Sequence, residues 1–183
     1  MERTSGQFDL VIQKCRELFS RKTTDYGTAW RILRPTSLTD QLLIKAKRIR
    51  SVQEKGIQMI EDSVNSEFIG LVNYSLLALI QRQLPPEMPL ELPLPQVLEW
   101  YDREVATTKA LMLKKNHDYG EIWRDMRVSS MTDLVLMKLL RIKQIEDNGE
   151  QTQVSEGIDA NYRDIINYAI FALIKIEEEN TLP

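Results

Sequence analysis

Shifting the 183-residue chain along itself by 93 positions lays residues 22–56 over 115–149, and 15 of those 35 positions are identical. Unrelated stretches of that length would agree at about two positions, so the chain carries an internal duplication. One inserted residue later the match resumes, setting Asn73, Tyr74, Ala78, Leu79 and Ile80 on Asn167, Tyr168, Ala172, Leu173 and Ile174. Upstream, Phe8 and Asp9 fall on Tyr101 and Asp102. The duplication divides the chain into a first repeat over 1–83, a linker over 84–95 and a second repeat over 96–183.

The linker, LPPEMPLELPLP, holds five of the seven prolines. Each proline fixes its own φ and biases the preceding residue away from helix, which predicts an extended strap acting as a spacer. Each repeat then reads as three helices. The first places Phe8, Val11, Ile12, Cys15 and Phe19 on one stripe, so Cys15 reads as core rather than as a nucleophile. The second opens on Ser37 and Asp40, or Ser130 and Asp133, at the spacing of a capping box, and ends at Gly56 or Gly149. The third repeats large apolar groups at helical spacing: Val64, Phe68, Leu71, Val72, Leu76 and Leu79, against Ile158, Tyr162, Ile165, Ile166, Ile170 and Leu173. No strand alternation of comparable strength occurs. The expected fold is all-α, a helical bundle of two tandem three-helix repeats related by a pseudo-twofold axis. Units of this size are marginal alone, so the repeats are expected to share one core.

A net charge of −3 and a pI near 5.4 leave no basic surplus for a phosphate backbone, so nucleic acid is disfavoured as the main partner. No apolar run approaches the ~20 residues that span a bilayer, which excludes a membrane partner of that kind. With one cysteine and no signal-peptide pattern at its start, the chain reads as disulfide-free and cytoplasmic.

Function has to come from residues that both repeats retain. The segment after the first helix reads KTTDYGTAWRILR in one copy and KNHDYGEIWRDMR in the other. Gly27 and Gly120 suit a turn with positive φ, and Asp25 and Asp118 could cap the short helix that follows. Trp30, Trp123, Tyr26 and Tyr119 read as core closing over that turn, or as a surface on which a base stacks. The recurrent cations are harder to explain by packing. Lys45 and Arg48, like Lys138 and Arg141, lie three apart on one side of a helix; with Arg34 and Arg127 they could hold a phosphate, or they could be salt-bridged within the protein. Asn73 and Asn167, set in apolar surroundings, need partners in the protein or on a base edge. Glu156, Asp159 and Asp164 advance by helical spacing on the last helix of the second repeat. They are hard oxygen ligands of the kind that suits magnesium, or else a solvated acidic face. The first repeat offers Asp62, Asn65, Gly70 and Asn73 instead. His117, the single histidine, faces Thr24 in the alignment.

The combination of KxxDYG, a tryptophan three residues on, a KxxR helix and the terminal EGID…DIINYAIFAL resembles the nucleotide-modification-associated domain 1 family, in two tandem copies. That resemblance implies a helical protein near nucleotide metabolism or base modification. A more distant likeness is to the all-α nucleotide pyrophosphohydrolases, whose ExxE and ExxD helices bind magnesium; Glu156 with Asp159 is an ExxD match, but the second helix lacks an ExxE. Two functions follow as expectations. One is a nucleotide-binding protein, extending to magnesium-dependent cleavage of a nucleoside triphosphate. The other is a non-catalytic duplicated scaffold or interaction module, and symmetry admits a homo-oligomer under either.

Overall fold

The computed structural model describes residues 2–56, 63–154 and 156–181, and all of its regular structure there is helical. Asp62, the first-repeat mate of Glu156, lies outside the described residues. The first repeat contributes α1 (Glu2–Tyr26), α2 (Pro35–Lys55) and α3 (Val64–Gln83); the second contributes α4 (Leu94–Tyr119), α5 (Val128–Asp147) and α6 (Ile158–Thr181). A single 3-10 turn sits between the first two helices of each repeat, at Ala29–Ile32 and Ile122–Asp125.

The apolar stripes pack as their spacing demands. Phe68, Leu71, Leu76 and Leu79 of α3 meet Tyr162, Ile165, Ile166 and Ile170 of α6 in one continuous core. Each such side chain contributes about 1.5–3 kcal/mol by leaving water. α2 lies on α3, α5 on α6, and α2 on α5, while α1 and α4 pack on each other and on both third helices. Neither repeat therefore closes a core by itself. Where the repeats meet, ion pairs come in reciprocal sets. Arg16 binds Asp102 at 2.6 Å while Lys109 binds Asp9 at 2.7 Å, and Lys143 binds Asp40 at 2.6 Å while Arg50 approaches Asp133 at 3.5 Å. In each set one pair consists of the other's repeat mates. These pairs are largely exposed, so each stabilises by no more than about 1 kcal/mol and they report geometry more than energy.

Several local expectations need correction. α1 and α4 run about one and a half turns into the segment expected to follow them, so Lys22–Tyr26 and Lys115–Tyr119 are helical and neither Asp25 nor Asp118 caps the short helix after it. The chain then turns at Gly27 and Gly120, whose φ of 62° and 66° lies in the left-handed region that disfavours side chains. The capping boxes do not form. Proline at the start of α2 fixes a helical φ there, so the helix begins at Pro35, Arg34 takes the cap position and Ser37 falls inside the first turn. α5 likewise begins after Arg127, and Asp40 and Asp133 serve the interface between α2 and α5 instead. Gly56 and Gly149 do take positive φ at the helix ends, as predicted.

The linker is more than a spacer. Thr28 donates to the Leu90 carbonyl at 2.5 Å and accepts from the Leu92 amide at 2.9 Å, and Leu92 is buried. Arg31, itself buried, donates to the Met88 carbonyl and to Gln81. One of the recurrent arginines is thus spent on pinning the strap. Its mate Arg124 stacks on Trp123 and donates to Thr4, Gln7, Glu121 and Glu178, tying the start of α1 to the second repeat.

Cys15 is fully buried, and burial above all, with the charge of Glu177 adding, pushes its thiol up to about 12. The thiolate is the reactive form, so a chromogenic disulfide reagent should leave the native protein unlabelled at pH 8 and titrate one thiol once denaturant is added. Native labelling at the denatured rate would show that α1 opens readily. No helix among the described residues is long and apolar enough to cross a membrane.

Candidate functional site

Each repeat builds a cavity where the end of its first helix, the glycine turn and its third helix converge. In the second repeat it measures about 400 Å³. Trp123 closes one side, stacked on Phe171 with ring centroids 4.3 Å apart and planes 4° from parallel. Lys115, Lys138, Asp164 and Glu156 form the charged side, and Tyr119, Met112, Asn167 and Tyr168 are among the rest of the lining. Asp164 is 5% exposed and sits between two ammonium groups, with Lys115 at 2.5 Å and Lys138 at 2.7 Å. Burial opposes the charge on Lys115, but the hydrogen bond and charge of Asp164 outweigh it and hold its pKa above the ordinary lysine value.

The first repeat's cavity, about 370 Å³, is lined by Lys22, Tyr26, Trp30, Asn73 and Tyr74 among others. Its electrostatics differ because the acid has moved by about one helical turn. Glu67, buried, takes Lys45 at 3.3 Å and Arg48 in a short charge-assisted contact. Continued along α3 and α6, the alignment puts Asn161 at the position of Glu67 and Gly70 at that of Asp164. The glycine makes room for this arrangement, since a Cβ on Gly70 would stand 3.0 Å from the Lys45 stem. Lys45 folds over Gly70 with its ammonium 5.3 Å from the Tyr74 ring.

The two asparagines diverge further. Asn73 is satisfied on both sides: it donates to the Cys15 carbonyl at 3.0 Å and accepts from the Tyr101 hydroxyl at 2.9 Å. Asn167 has neither contact, and its amide nitrogen and oxygen are both buried without a partner among the described residues. For the oxygen the cause lies in the duplication, because the residue matching Tyr101 is Phe8, which has no hydroxyl to give. An unmet buried amide group costs about 1–3 kcal/mol. Asn167 lines the cavity with its donor and its acceptor both closed over in the wall, and the Trp123 indole nitrogen in the same lining is likewise buried and unpartnered among the described residues.

Not all the residues singled out in the sequence converge here. Lys138, Asn167, Trp123 and Tyr119 do, joined by Lys115. Tyr26, Trp30 and Asn73 line the first-repeat cavity. Tyr26 and Tyr119 are 71% and 75% exposed, so they stand at the rims and are not core. Lys45 and Arg48 are held by Glu67. Arg34 borders a separate groove with Arg82 and Glu150, and Arg127 lies at the start of α5. Arg141 is exposed and lines a neighbouring polar cavity. The three acids proposed for magnesium do not gather. Asp159 binds Arg82 at 2.7 Å, and of the two acids that border the second-repeat cavity, Glu156 and Asp164, the latter is held by two lysines. Among the described residues no three Asp, Glu, His or Cys side chains form a metal cluster, and an acid already facing two ammonium groups does not suit a dication. Among the described residues the one polar side-chain contact of His117 is Asp118, at 3.1 Å on the surface. Glu67 and Tyr168 went unmarked in the sequence. A one-turn shift of an acid between repeats would have been the signal for Glu67.

The model of nucleotide modification associated domain 1 matches residues 22–82 and again 115–176, each segment opening on the lysine of KxxDYG. No curated protein and no solved structure matches the chain. The chain belongs to the nucleotide modification associated domain 1 family, as two tandem copies.

Proposed function

We propose, from membership in this family and from the geometry of the second repeat, that the chain binds a nucleotide with its base in the cavity between Trp123, Asn167 and Tyr168. The observation that carries this reading is the unpartnered amide of Asn167. A base edge that offers an acceptor next to a donor satisfies a carboxamide on both atoms at once when the side chain turns into the cavity, while the half-buried Tyr168 ring gives the base apolar surface. Binding converts a standing desolvation cost into two hydrogen bonds. The first repeat, whose asparagine and basic pair are already satisfied from within, acts as the scaffold for the second.

The reading is one of binding. Cleavage of a triphosphate by metal-activated water would need carboxylates grouped around the ion, and Asp159 and Asp164 are committed to Arg82 and to the two lysines. The test is a thermal-shift series with the common nucleosides and nucleotides. A ligand at 100 times its Kd stabilises by about 2.7 kcal/mol, a rise in Tm of roughly 5–10 °C for a chain of this size. The expected result is a rise with at least one base that disappears in Asn167→Leu. If no nucleoside or nucleotide moves Tm at millimolar concentration, the proposal fails.

A further inference from the structure

Resting on that reading, we infer that the ligand carries a single phosphate, held by Arg141 in the polar cavity beside the base site, so that the preferred class is a nucleoside monophosphate rather than a triphosphate. The polar cavity is the larger of the two, about 620 Å³, and runs between the C-terminal half of α5 and the segment that leads into α6. Glu156 borders both cavities, so they are adjacent compartments of one surface. Apart from Arg141 the polar cavity has no cationic lining; its other groups are chiefly the amides of Gln144, Asn148, Gln151 and Asn161.

Arg141 is available for a reason rooted in the duplication. Its mate Arg48 is neutralised by Glu67, whereas the position matching Glu67 is Asn161, which donates to the Gly157 carbonyl at 2.9 Å and brings no charge. Among the described residues Arg141 makes no ion pair, and it is exposed. A guanidinium with free donors beside neutral amides is the arrangement that grips one phosphate in a bidentate manner. The phenol of Tyr168 in the base cavity registers the same neighbourhood. Burial first and then Asp164 push its pKa up, while Lys115 and Arg141 pull it back.

Charge sets the phosphate number. Across both cavities Lys115, Lys138 and Arg141 stand against Asp164 and Glu156, an excess of one positive charge. A phosphate monoester brings about two negative charges near neutral pH; this excess answers about half of that charge, and the amide N–H groups donate to the phosphate oxygens. A triphosphate adds further charged groups with no further cation to meet them, and Glu156 stands at the junction to repel them.

The experiment measures, by calorimetry in magnesium-free buffer, the affinities of adenosine, guanosine, cytidine, thymidine and uridine, each as the nucleoside, the 5′-monophosphate and the 5′-triphosphate. For the base that binds, the monophosphate is expected to bind at least ~10-fold more tightly than the nucleoside, and the triphosphate no more tightly than the monophosphate. Arg141→Ala should reduce the monophosphate to the affinity of the nucleoside and leave the nucleoside unchanged. Arg127→Ala, an exposed arginine outside both cavities, should alter neither. Equal affinity for nucleoside and monophosphate, a triphosphate preferred by ~10-fold, or an Arg141→Ala protein that keeps the monophosphate preference overturns the inference while base binding stands. Absence of binding by every compound overturns both.

Discussion

Replacing Asn167 with leucine is expected to make the protein more stable and, at the same time, unable to respond to a nucleotide. Both amide atoms are buried and unpaired, so removing them relieves about 1–3 kcal/mol of desolvation cost and restores apolar contact of similar shape. For a chain of this length each kcal/mol moves Tm by roughly 2–4 °C. The control is Asn73→Leu, the same substitution at the repeat mate. It strips the Tyr101 hydroxyl of its buried partner, while the Cys15 carbonyl inside α1 keeps its helical one, so it should lower Tm at a cost of about 1–3 kcal/mol for the hydroxyl left unmet. Opposite signs at matching positions would show that the second repeat carries an unmet polar group for a ligand to use. A destabilised Asn167→Leu protein that still shifts with nucleotide would remove the argument for the base site.

What was legible in the sequence, and what was not, divides along physical lines. The helices, their apolar faces and the four glycines of positive φ at 27, 56, 120 and 149 follow from local chemistry that a single strand of text carries. Helix starts followed less well, because the proline at the head of α2 outweighs a serine and an aspartate that suit a cap. The cations posed the harder problem. Lys45, Arg48, Lys138 and Arg141 read identically in both repeats, yet three are held by acids and one is not. The difference lies in an acid that moved from the position of Glu67 to that of Asp164, which an alignment of identities passes over. The site itself turns on one hydroxyl. Phe8 and Tyr101 look like a conservative aromatic exchange, and only once α4 is seen beside α3 does the exchange become the difference between a satisfied asparagine oxygen and an open one.

The costliest single change should be Asp164→Ala. Lys138 is buried, its side chain only 11% accessible, and Asp164 is its one ion-pair partner among the described residues; the alanine variant strands that ammonium away from water. Removing one member of a buried pair costs about 3–5 kcal/mol, because the remaining charge keeps its desolvation penalty. Lys115 moderates the loss, since its side chain is 42% accessible and can turn outward to be hydrated. Tm should fall by roughly 10 °C, against little change for Asp133→Ala, whose contact with Arg50 is exposed. The decisive arm is a double variant, Asp164→Leu with Lys138→Met, which removes both charges and refills the space; much of the lost stability should return, as it does when a buried pair gives way to apolar groups of similar volume. If Asp164→Ala costs under ~1 kcal/mol, water already reaches Lys138 and the pair behaves like the surface pairs between the repeats. If the alanine variant is costly and the double variant is no better, the carboxylate is needed for its position on α6 rather than for the charge it answers.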